Sequence, residues 1–348
     1  MKVSWSSPSN IALVKYWGKH GDQLPCNPSL SFTLKNAVTN MSIELKDRSS
    51  NHYKVEFLFE GKPSQKFSSK IELFLTKILD EMPWIKDFDF YIESSNSFPH
   101  SSGIASSASS MSALALCLLS LDCKIHSRIL RRDEFLKKAS SLARRASGSA
   151  SRSIFPYMSL WGKVDGFEQS SDEWAIQYED SSSPFLNFCD AIVIVDANEK
   201  SVSSRAGHDL MIDHPFKDVR FIQAKHNVSK LIEAMKTENL HLFMEIVEEE
   251  ALTLHAMMMT SNPSYILLKP ESLFIIDKVR EYRNTSGLPI CFTIDAGPNI
   301  HLIYPKTISS EVKLWIENEL MSNKYNFKVL FDEVGAGPIS ISEEKYFE

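Results

Sequence analysis

The chain has 348 residues, of which 43% are hydrophobic and 24% are charged, so collagen-like, low-complexity and wholly disordered proteins are excluded. Lys and Arg total 38 against 44 Asp and Glu, a net charge of −6, which argues against a general binder of nucleic acid or membrane surfaces. At about 100–200 residues per domain, this length predicts two domains, or one large fold with a second lobe.

The hydrophobic pattern predicts a mixed α and β protein. In the first half, alternation predicts strands at 41–45, 53–59 and 88–92, and helical spacing predicts helices at 71–82, 111–121 and 132–146. In the second half, the pattern predicts strands at 191–195, 290–295, 301–304 and 327–331 and helices at 219–235, 240–259, 270–284 and 311–321. That order predicts an α+β second lobe with an antiparallel sheet.

The polar, serine-rich segment 179–184 is the best candidate linker, which predicts an N-terminal lobe at 1–184 and a C-terminal lobe at 185–348. The N-terminus has no apolar stretch behind its lysine, so no secretory signal is expected. The apolar run 113–119 is far short of the about 20 residues that span a bilayer. The five cysteines are scattered, which predicts reduced thiols in a cytoplasmic protein rather than a disulfide framework or zinc site.

Segment 98–111 joins a glycine turn and paired serines to an apolar helix. Backbone amides and the dipole at a helix N-terminus attract an anion. Ser106 and Ser107 can cap that helix, or contact a phosphate or its Mg²⁺. An ordinary N-cap in a serine-rich loop is the alternative. The chain has no G-x-x-x-x-G-K-[ST] pattern, so a nucleotide would need this different loop.

Three further segments carry candidate chemistry. Residues 7–20 place Lys15 and Lys19 around an aromatic pair, which suits a phosphorylated substrate, although an amphipathic turn with solvated lysines is the alternative. Residues 144–153 run from a helix end into small residues, and Arg152 is either a bidentate partner for a carboxylate or half of a surface ion pair. The preceding Arg144 and Arg145 are expected to be solvated. Residues 291–299 form an apolar strand that ends in Asp295, where a turn cap is the alternative.

Together these segments resemble the motifs of the diphosphomevalonate decarboxylase family within the GHMP kinase superfamily. The matching patterns are S-N-I-A-x-x-K-Y-W-G-K at 9–19, P-x-x-x-G-I-A-S-S-A at 99–108, a small-residue element ending in arginine at 147–152, and T-x-D-A-G-P-N at 293–299. A weaker match at 200–208 and a glycine-rich turn at 335–338 extend the resemblance over nearly the whole chain. Lys19 stands where many kinases of the superfamily carry an acidic residue.

The resemblance implies a two-lobed α/β fold of the GHMP kinase type. Its N-terminal lobe would be like the second domain of ribosomal protein S5, and its C-terminal lobe would be ferredoxin-like. The implied activity is ATP-dependent decarboxylation of mevalonate 5-diphosphate to isopentenyl diphosphate, with ADP, phosphate and CO₂, in isoprenoid biosynthesis. ATP and Mg²⁺ are implied as cofactors. Family members are commonly homodimers, which implies a homodimer here.

The resemblance also implies roles for individual residues. The catalytic residues would be Asp295, Lys15 and Arg152. Substrate would be bound by Ala12, Tyr16, Lys19, Ser147, Gly148, Ser149 and Arg205. ATP would be bound by Pro99, Gly103, Ile104, Ala105, Ser106 and Ser107, with Ser107 contacting Mg²⁺ through ATP.

His208, close to the expected phosphate site, stands where relatives tend to be apolar, which leaves substrate selection open. The same scaffold could serve a phosphomevalonate decarboxylase or a mevalonate 3-kinase. Another small-molecule kinase and a non-catalytic ligand-binding relative are more distant alternatives. Because Lys15, Arg152 and Asp295 are all present, decarboxylation is favoured.

Overall fold

The computed structural model describes residues 1–99, 104, 106–179, 184–198, 202–342 and 346–348. Its strands are β1 (Lys2–Ala12), β2 (Lys19–His20), β3 (Leu24–Pro25), β4 (Ser29–Asp47), β5 (Val55–Phe59), β6 (Lys62–Pro63), β7 (Phe88–Asn96), β8 (Met158–Trp161), β9 (Ala175–Gln177), β10 (Phe188–Ile194), β11 (Cys291–Thr293), β12 (Ile300–Pro305), β13 (Lys328–Glu333) and β14 (Ile339–Ser340). Its helices are α1 (Gln65–Lys77), α2 (Ser106–Ile125), α3 (Arg132–Ala146), α4 (Ser204–Asp209), α5 (Lys217–Lys236), α6 (Leu240–Met259), α7 (Pro270–Ser286) and α8 (Ser309–Ile316).

The first lobe is built on a sheet in the order β14-β1-β4-β7-β5-β6, and β8 pairs with both β4 and β9. Alternate residues of β4, Met41, Ile43 and Leu45, are buried in the core, as period-two patterning requires. Helices α2 and α3 pack together, and α2 also packs on β1 and β4. In the described part of the chain, α2 is the one helix long and apolar enough to cross a membrane, and 83% of its most apolar window is buried inside the fold.

The second lobe contains the antiparallel sheet β11-β12-β10-β13, so the antiparallel sheet predicted for this half is present. Helices α6 and α7 pack on β11, and α5 packs on α6. The chain then returns to the first lobe, where β14 pairs with β1 in the register Trp5 to Ser340. Tyr346 is buried in the first-lobe core. The division at residue 184 stays a prediction, and the structure adds that the C-terminal strand belongs to the first sheet.

Two departures from the sequence predictions have physical causes. The hydrophobic pattern of the sequence did not predict β1, because the inward positions of this strand include serines. Hydrogen bonds allow these serines to be buried: Ser7 Oγ lies 2.6 Å from Ser112 Oγ, and Ser9 Oγ donates to the Ile104 carbonyl at 2.7 Å. Helix α1 lies at Gln65–Lys77 rather than at 71–82. Ile78 and Met82 are also buried, so the apolar spacing continues past the helix into a turn.

Candidate active site

A cleft of about 510 Å³ lies where the first-lobe sheet, α1, α2 and α3 meet α4, α6 and the loop after β11. The sequence-predicted residues that line it are Ala12, Lys15, Tyr16, Lys19, Ser106, Ser107, Ser147, Gly148, Ser149, Arg152, Arg205 and Asp295. Pro99 is exposed and Ile104 is buried in the core, and neither borders the described part of the cleft. Gly103 and Ala105 lie outside the described residues.

The charges that line the cleft oppose the charge of the whole chain. Among the described lining residues, the cations are Lys15, Lys19, Lys70, Lys77, Arg145, Arg152 and Arg205, and Asp295 is the one carboxylate. The chain as a whole has a net charge of −6. Such concentrated positive charge attracts anionic ligands into the cleft.

Lys15 and Asp295 form an ion pair across the two lobes. Lys15 Nζ donates to Asp295 Oδ1 at 2.8 Å, and the two side chains are 2% and 25% exposed. Asp295 follows β11. Its backbone carbonyl oxygen accepts a hydrogen bond from Gly297 N at 2.7 Å and lies 3.1 Å from His255 Nε2. Burial lowers the pKa of Lys15, and attraction to Asp295 opposes this effect. The alternative of a solvated Lys15 is therefore wrong.

The backbone of Lys15 is held by a buried network that the sequence analysis missed. Lys15 N donates to Glu250 Oε2 at 2.9 Å, and Glu250 pairs with Arg220 at 2.6 Å, with both side chains fully buried. Asn227 Nδ2 also donates to Glu250, at 2.8 Å. The signal in the sequence was a glutamate at helical spacing from Phe243 and Leu254, on the buried face of α6.

Arg152 lies in a 3-10 turn, Gly148–Ile154, directly after α3. It is 2% exposed, its Nε donates to Ser31 Oγ at 3.1 Å, and its Nη1 has no hydrogen-bond partner among the described residues. Burial lowers its pKa to about 10. A surface ion pair is therefore excluded for Arg152. A buried guanidinium with an unsatisfied N–H in a cleft is suited to bind a carboxylate.

Tyr16 lies between the 3-10 turn and α4. Its Oη is buried and has no hydrogen-bond partner in the described part of the chain, and burial raises its pKa. A Cβ added to Gly148 would lie 2.7 Å from that Oη and 2.9 Å from Trp161. Only glycine therefore lets the turn approach Tyr16 closely enough for both to line the same cleft.

The short helix α4 adds Arg205 and His208 to the cleft. Arg205 is exposed, whereas His208 is 8% exposed and packs its ring 4.4 Å from Tyr16 and 4.6 Å from Trp17. Gly18 N donates to His208 Nδ1 at 3.0 Å. Burial and, to a smaller extent, the charges of Lys19 and Arg152 lower the pKa of His208 to about 3. The ring is consequently neutral at pH 7.

The rim of the cleft differs in part from the sequence prediction. Lys70 and Lys77, on one face of α1, were not predicted as cleft residues, because their spacing in the sequence does not show which face of the helix borders a cleft.

The prediction that the two arginines at the end of α3 are solvated is wrong. Arg144 is 3% exposed and pairs with Glu173 at 2.8 Å, and Arg145 pairs with Asp22 at 3.0 Å and with Glu81.

A metal ion in this cleft would need ligands besides clustered protein side chains. The described residues contain no group of three or more His, Cys, Asp or Glu side chains that could hold a metal ion. Ser106 and the exposed Ser107 begin α2 and line the cleft. Mg²⁺ usually retains waters and is held by substrate phosphates with one or two protein oxygens, so the site fits Mg²⁺ that arrives with a nucleotide.

Comparison with known proteins covers both lobes. The diphosphomevalonate decarboxylase-like N-terminal domain matches residues 7–172, and the mevalonate 5-diphosphate decarboxylase C-terminal domain matches residues 191–344. The diphosphomevalonate decarboxylase of Schizosaccharomyces pombe is 26% identical over 97% of this chain and 86% of its own. That of Saccharomyces cerevisiae is 27% identical over 87% of this chain and 77% of its own.

Solved structures show the same likeness. Mevalonate diphosphate decarboxylase from Staphylococcus aureus has a TM-score of 0.84 at 29% identity, covering 98% of each chain. The complex of MDDEF with MVAPP, AMPPCP and magnesium also has a TM-score of 0.84, at 28% identity, covering 98% of this chain and 99% of its own. The predicted two-lobed fold of the GHMP kinase type is thus confirmed. Since the two domain models together match both lobes that form the cleft, the chain belongs to the diphosphomevalonate decarboxylase family.

Proposed function

We propose that this protein catalyses the ATP-dependent decarboxylation of mevalonate 5-diphosphate to isopentenyl diphosphate, with release of ADP, phosphate and CO₂. The observation that carries the proposal is the Lys15–Asp295 pair at 2.8 Å, in the same cleft as the unsatisfied Nη1 of Arg152. Decarboxylation of a 3-hydroxy acid by this route needs a group that acts on the hydroxyl and a cation that holds the carboxylate.

Asp295 acts on the hydroxyl. A 3-hydroxy acid resists decarboxylation because hydroxide is a poor leaving group, and transfer of the γ-phosphoryl of ATP to O3 replaces it with phosphate. Asp295, 25% exposed to the cleft, orients the C3 hydroxyl and accepts its proton as O3 attacks the phosphorus. Lys15 stabilises the negative charge on Asp295 and on the transferring group.

Arg152 holds the carboxylate for the second step. When the C3–O bond breaks, phosphate leaves with its electrons, the C1–C2 electrons form the C2=C3 double bond, and C1 leaves as CO₂. The unsatisfied Nη1 of Arg152 binds that carboxylate and aligns the C1–C2 bond with the C3–O bond. The neighbouring Trp161 ring is fully buried and lies 5.7 Å from the guanidinium, which helps to hold it in place.

The remaining polar groups bind phosphates. Tyr16 Oη, Lys19, Ser147, Ser149 and Arg205 hold the 5-diphosphate, and the N-terminal turn of α2 with Ser106 and Ser107 binds the nucleotide phosphates. Mg²⁺ bound with ATP neutralises charge on its phosphates. The likeness to the MDDEF complex with MVAPP, AMPPCP and magnesium supports these ligands.

One assay separates this proposal from its alternatives. Purified protein with MgATP is given mevalonate 5-diphosphate or mevalonate 5-phosphate, and ADP, phosphate and CO₂ are followed together. Equal release of all three with the diphosphate is expected. ADP without CO₂ would indicate a 3-kinase, and turnover of the monophosphate alone would indicate a phosphomevalonate decarboxylase. No turnover of either would indicate a binding protein without catalytic activity.

The assembly and compartment are also proposed: a homodimer in the cytoplasm. All five cysteines are free and four are buried, as is typical of proteins in a reducing compartment. Light scattering on the purified protein should give twice the chain mass of 39.5 kDa. A mass equal to that of one chain would contradict the dimer. Fractionation of cells that express the chain tests the compartment.

A further inference from the structure

His208 is a buried side chain in the cleft to which the proposed chemistry has so far assigned no part. It is 8% exposed, lines the cleft, and lies one helical turn after Arg205 on α4. The helix comes this close to the first lobe because residue 207 is glycine: a Cβ there would lie 2.5 Å from the Trp17 ring. The position of His208 is therefore set by tight packing across the two lobes.

The hydrogen bond from Gly18 N decides which ring nitrogen carries the proton. Because Gly18 N is a donor, 3.0 Å from His208 Nδ1, that nitrogen must accept. A neutral imidazole that accepts at Nδ1 carries its hydrogen on Nε2. Nε2 has no hydrogen-bond partner among the described residues, so its N–H is available to a ligand in the cleft.

The surroundings of His208 indicate what this N–H binds. Lys19 and Arg152 are close enough to disfavour a charge on the ring, and Arg205 is on the same short helix. A ligand that satisfies these three cations is anionic, and its oxygen atoms accept hydrogen bonds. A neutral N–H adds a donor to such a ligand without adding a fourth positive charge that the other three would repel.

We propose that His208 Nε2 donates a hydrogen bond to the 5-diphosphate of the substrate and so acts as a specificity-determining residue. The inference rests on the proposed function, since the diphosphate is the substrate named there. An apolar residue of similar size at this position would keep the packing between Tyr16 and Trp17 and would lack the donor. His208→Met and His208→Gln therefore separate packing from hydrogen bonding, because glutamine retains an N–H.

The first test measures binding of mevalonate 5-diphosphate by calorimetry without nucleotide, together with kcat and KM. His208→Met should weaken binding and raise KM about tenfold or more, because a hydrogen bond to a charged group is lost, while kcat changes little. His208→Gln should recover part of the affinity. His241→Gln, at an 88% exposed site on α6, should match the wild-type protein. Unchanged affinity in a folded His208→Met variant would overturn the proposal.

The second test uses the wild-type protein, so it does not depend on a variant that folds. Nitrogen-15 NMR of the histidine side chains should show His208 as the neutral Nε2–H form, and added mevalonate 5-diphosphate should shift its Nε2–H resonance. A ring with the proton on Nδ1, or no shift at saturation, would contradict the proposal. If wild-type protein binds the diphosphate without turnover, the proposed function fails, and the assignment of His208 is still decided by these two measurements.

Discussion

At the scale of single residues, the cleft depends on opposite charges held in contact away from water. Burial and attraction to Asp295 act on the pKa of Lys15 in opposite directions, and burial has the larger effect. Asp295 is the more exposed partner, so its carboxylate is accessible to a hydroxyl while the ammonium stays covered. Substitutions that keep size and remove charge test this arrangement directly.

Asp295→Asn should abolish most turnover and leave substrate affinity nearly unchanged. The amide has nearly the same shape but is a far weaker base, and removal of such a group reduces kcat about 10²–10⁴-fold. The measurements are kcat from ADP release and the Kd for mevalonate 5-diphosphate from calorimetry. Asp277→Asn, at an exposed position of α7, is the matched control. Wild-type kcat in Asp295→Asn would refute the assignment.

Arg152→Ala should impair decarboxylation as well as binding, with kcat/KM falling about 10²-fold or more, because the buried cation that holds the carboxylate is lost. Arg152→Lys keeps a positive charge without the planar pair of N–H groups and should be intermediate. The measurement is CO₂ formed per ADP released, with KM for the substrate. If both variants yield CO₂ as the wild type does, the role given to Arg152 is incorrect.

At the scale of elements, the helix pair of the second lobe positions a residue of the first. Arg220 on α5 and Glu250 on α6 form a fully buried ion pair, and the same carboxylate accepts a hydrogen bond from Lys15 N. The loop that carries Lys15 is therefore attached to α6. Glu250 is a positioning residue, since it contacts the backbone of Lys15 and does not line the cleft.

Glu250→Gln should lower the free energy of unfolding by about 3–5 kcal/mol, because Arg220 is left as an uncompensated buried charge. Urea denaturation measures the change, and steady-state kinetics should show a lower kcat at nearly unchanged KM. Glu249→Gln, one residue earlier and exposed, should stay within about 0.5 kcal/mol of the wild type. Equal effects from the two substitutions would show that the buried pair has no special role.

At the scale of the whole molecule, a chain with a net charge of −6 lines its cleft, as far as the described residues go, with seven cations and one carboxylate. Burial and nearby positive charges both disfavour a further proton on a side chain in this cleft. For His208, burial has the larger effect and the charges of Lys19 and Arg152 add to it, so that its pKa is lowered to about 3. His208 therefore contributes to the pH dependence of stability.

The unfolded chain protonates His208 near pH 6.5, whereas the folded chain does so near pH 3. Between these values the unfolded state binds one more proton, so the free energy of unfolding falls as the pH is lowered through this window. From pH 7 to pH 5 the contribution of His208 should be about 2 kcal/mol. Urea denaturation of the wild type and of His208→Gln at both pH values measures it. The same pH dependence in both proteins would contradict the prediction.

Particular elements and residues show how much of the fold could be predicted from the sequence. The long helices α5, α6 and α7 were predicted nearly at their observed bounds, because each carries its own apolar spacing. Strand β1 was missed because Ser7 and Ser9 take inward positions that only their partners in α2 and the preceding loop make favourable. Glu250 was missed for the same reason, since its partner Arg220 lies 30 residues away.

By itself, the sequence determined the local elements and the motifs that carry the candidate chemistry, because periodicity and spacing are properties of neighbouring residues. The tertiary structure alone decided that Lys15 contacts Asp295, 280 residues further along the chain, and that Arg152 is buried with an unsatisfied Nη1. It also decided that His208 is buried and accepts a hydrogen bond from Gly18 N at Nδ1. Burial, charge state and hydrogen-bond direction arise from long-range packing of the two lobes, which local sequence patterns do not specify.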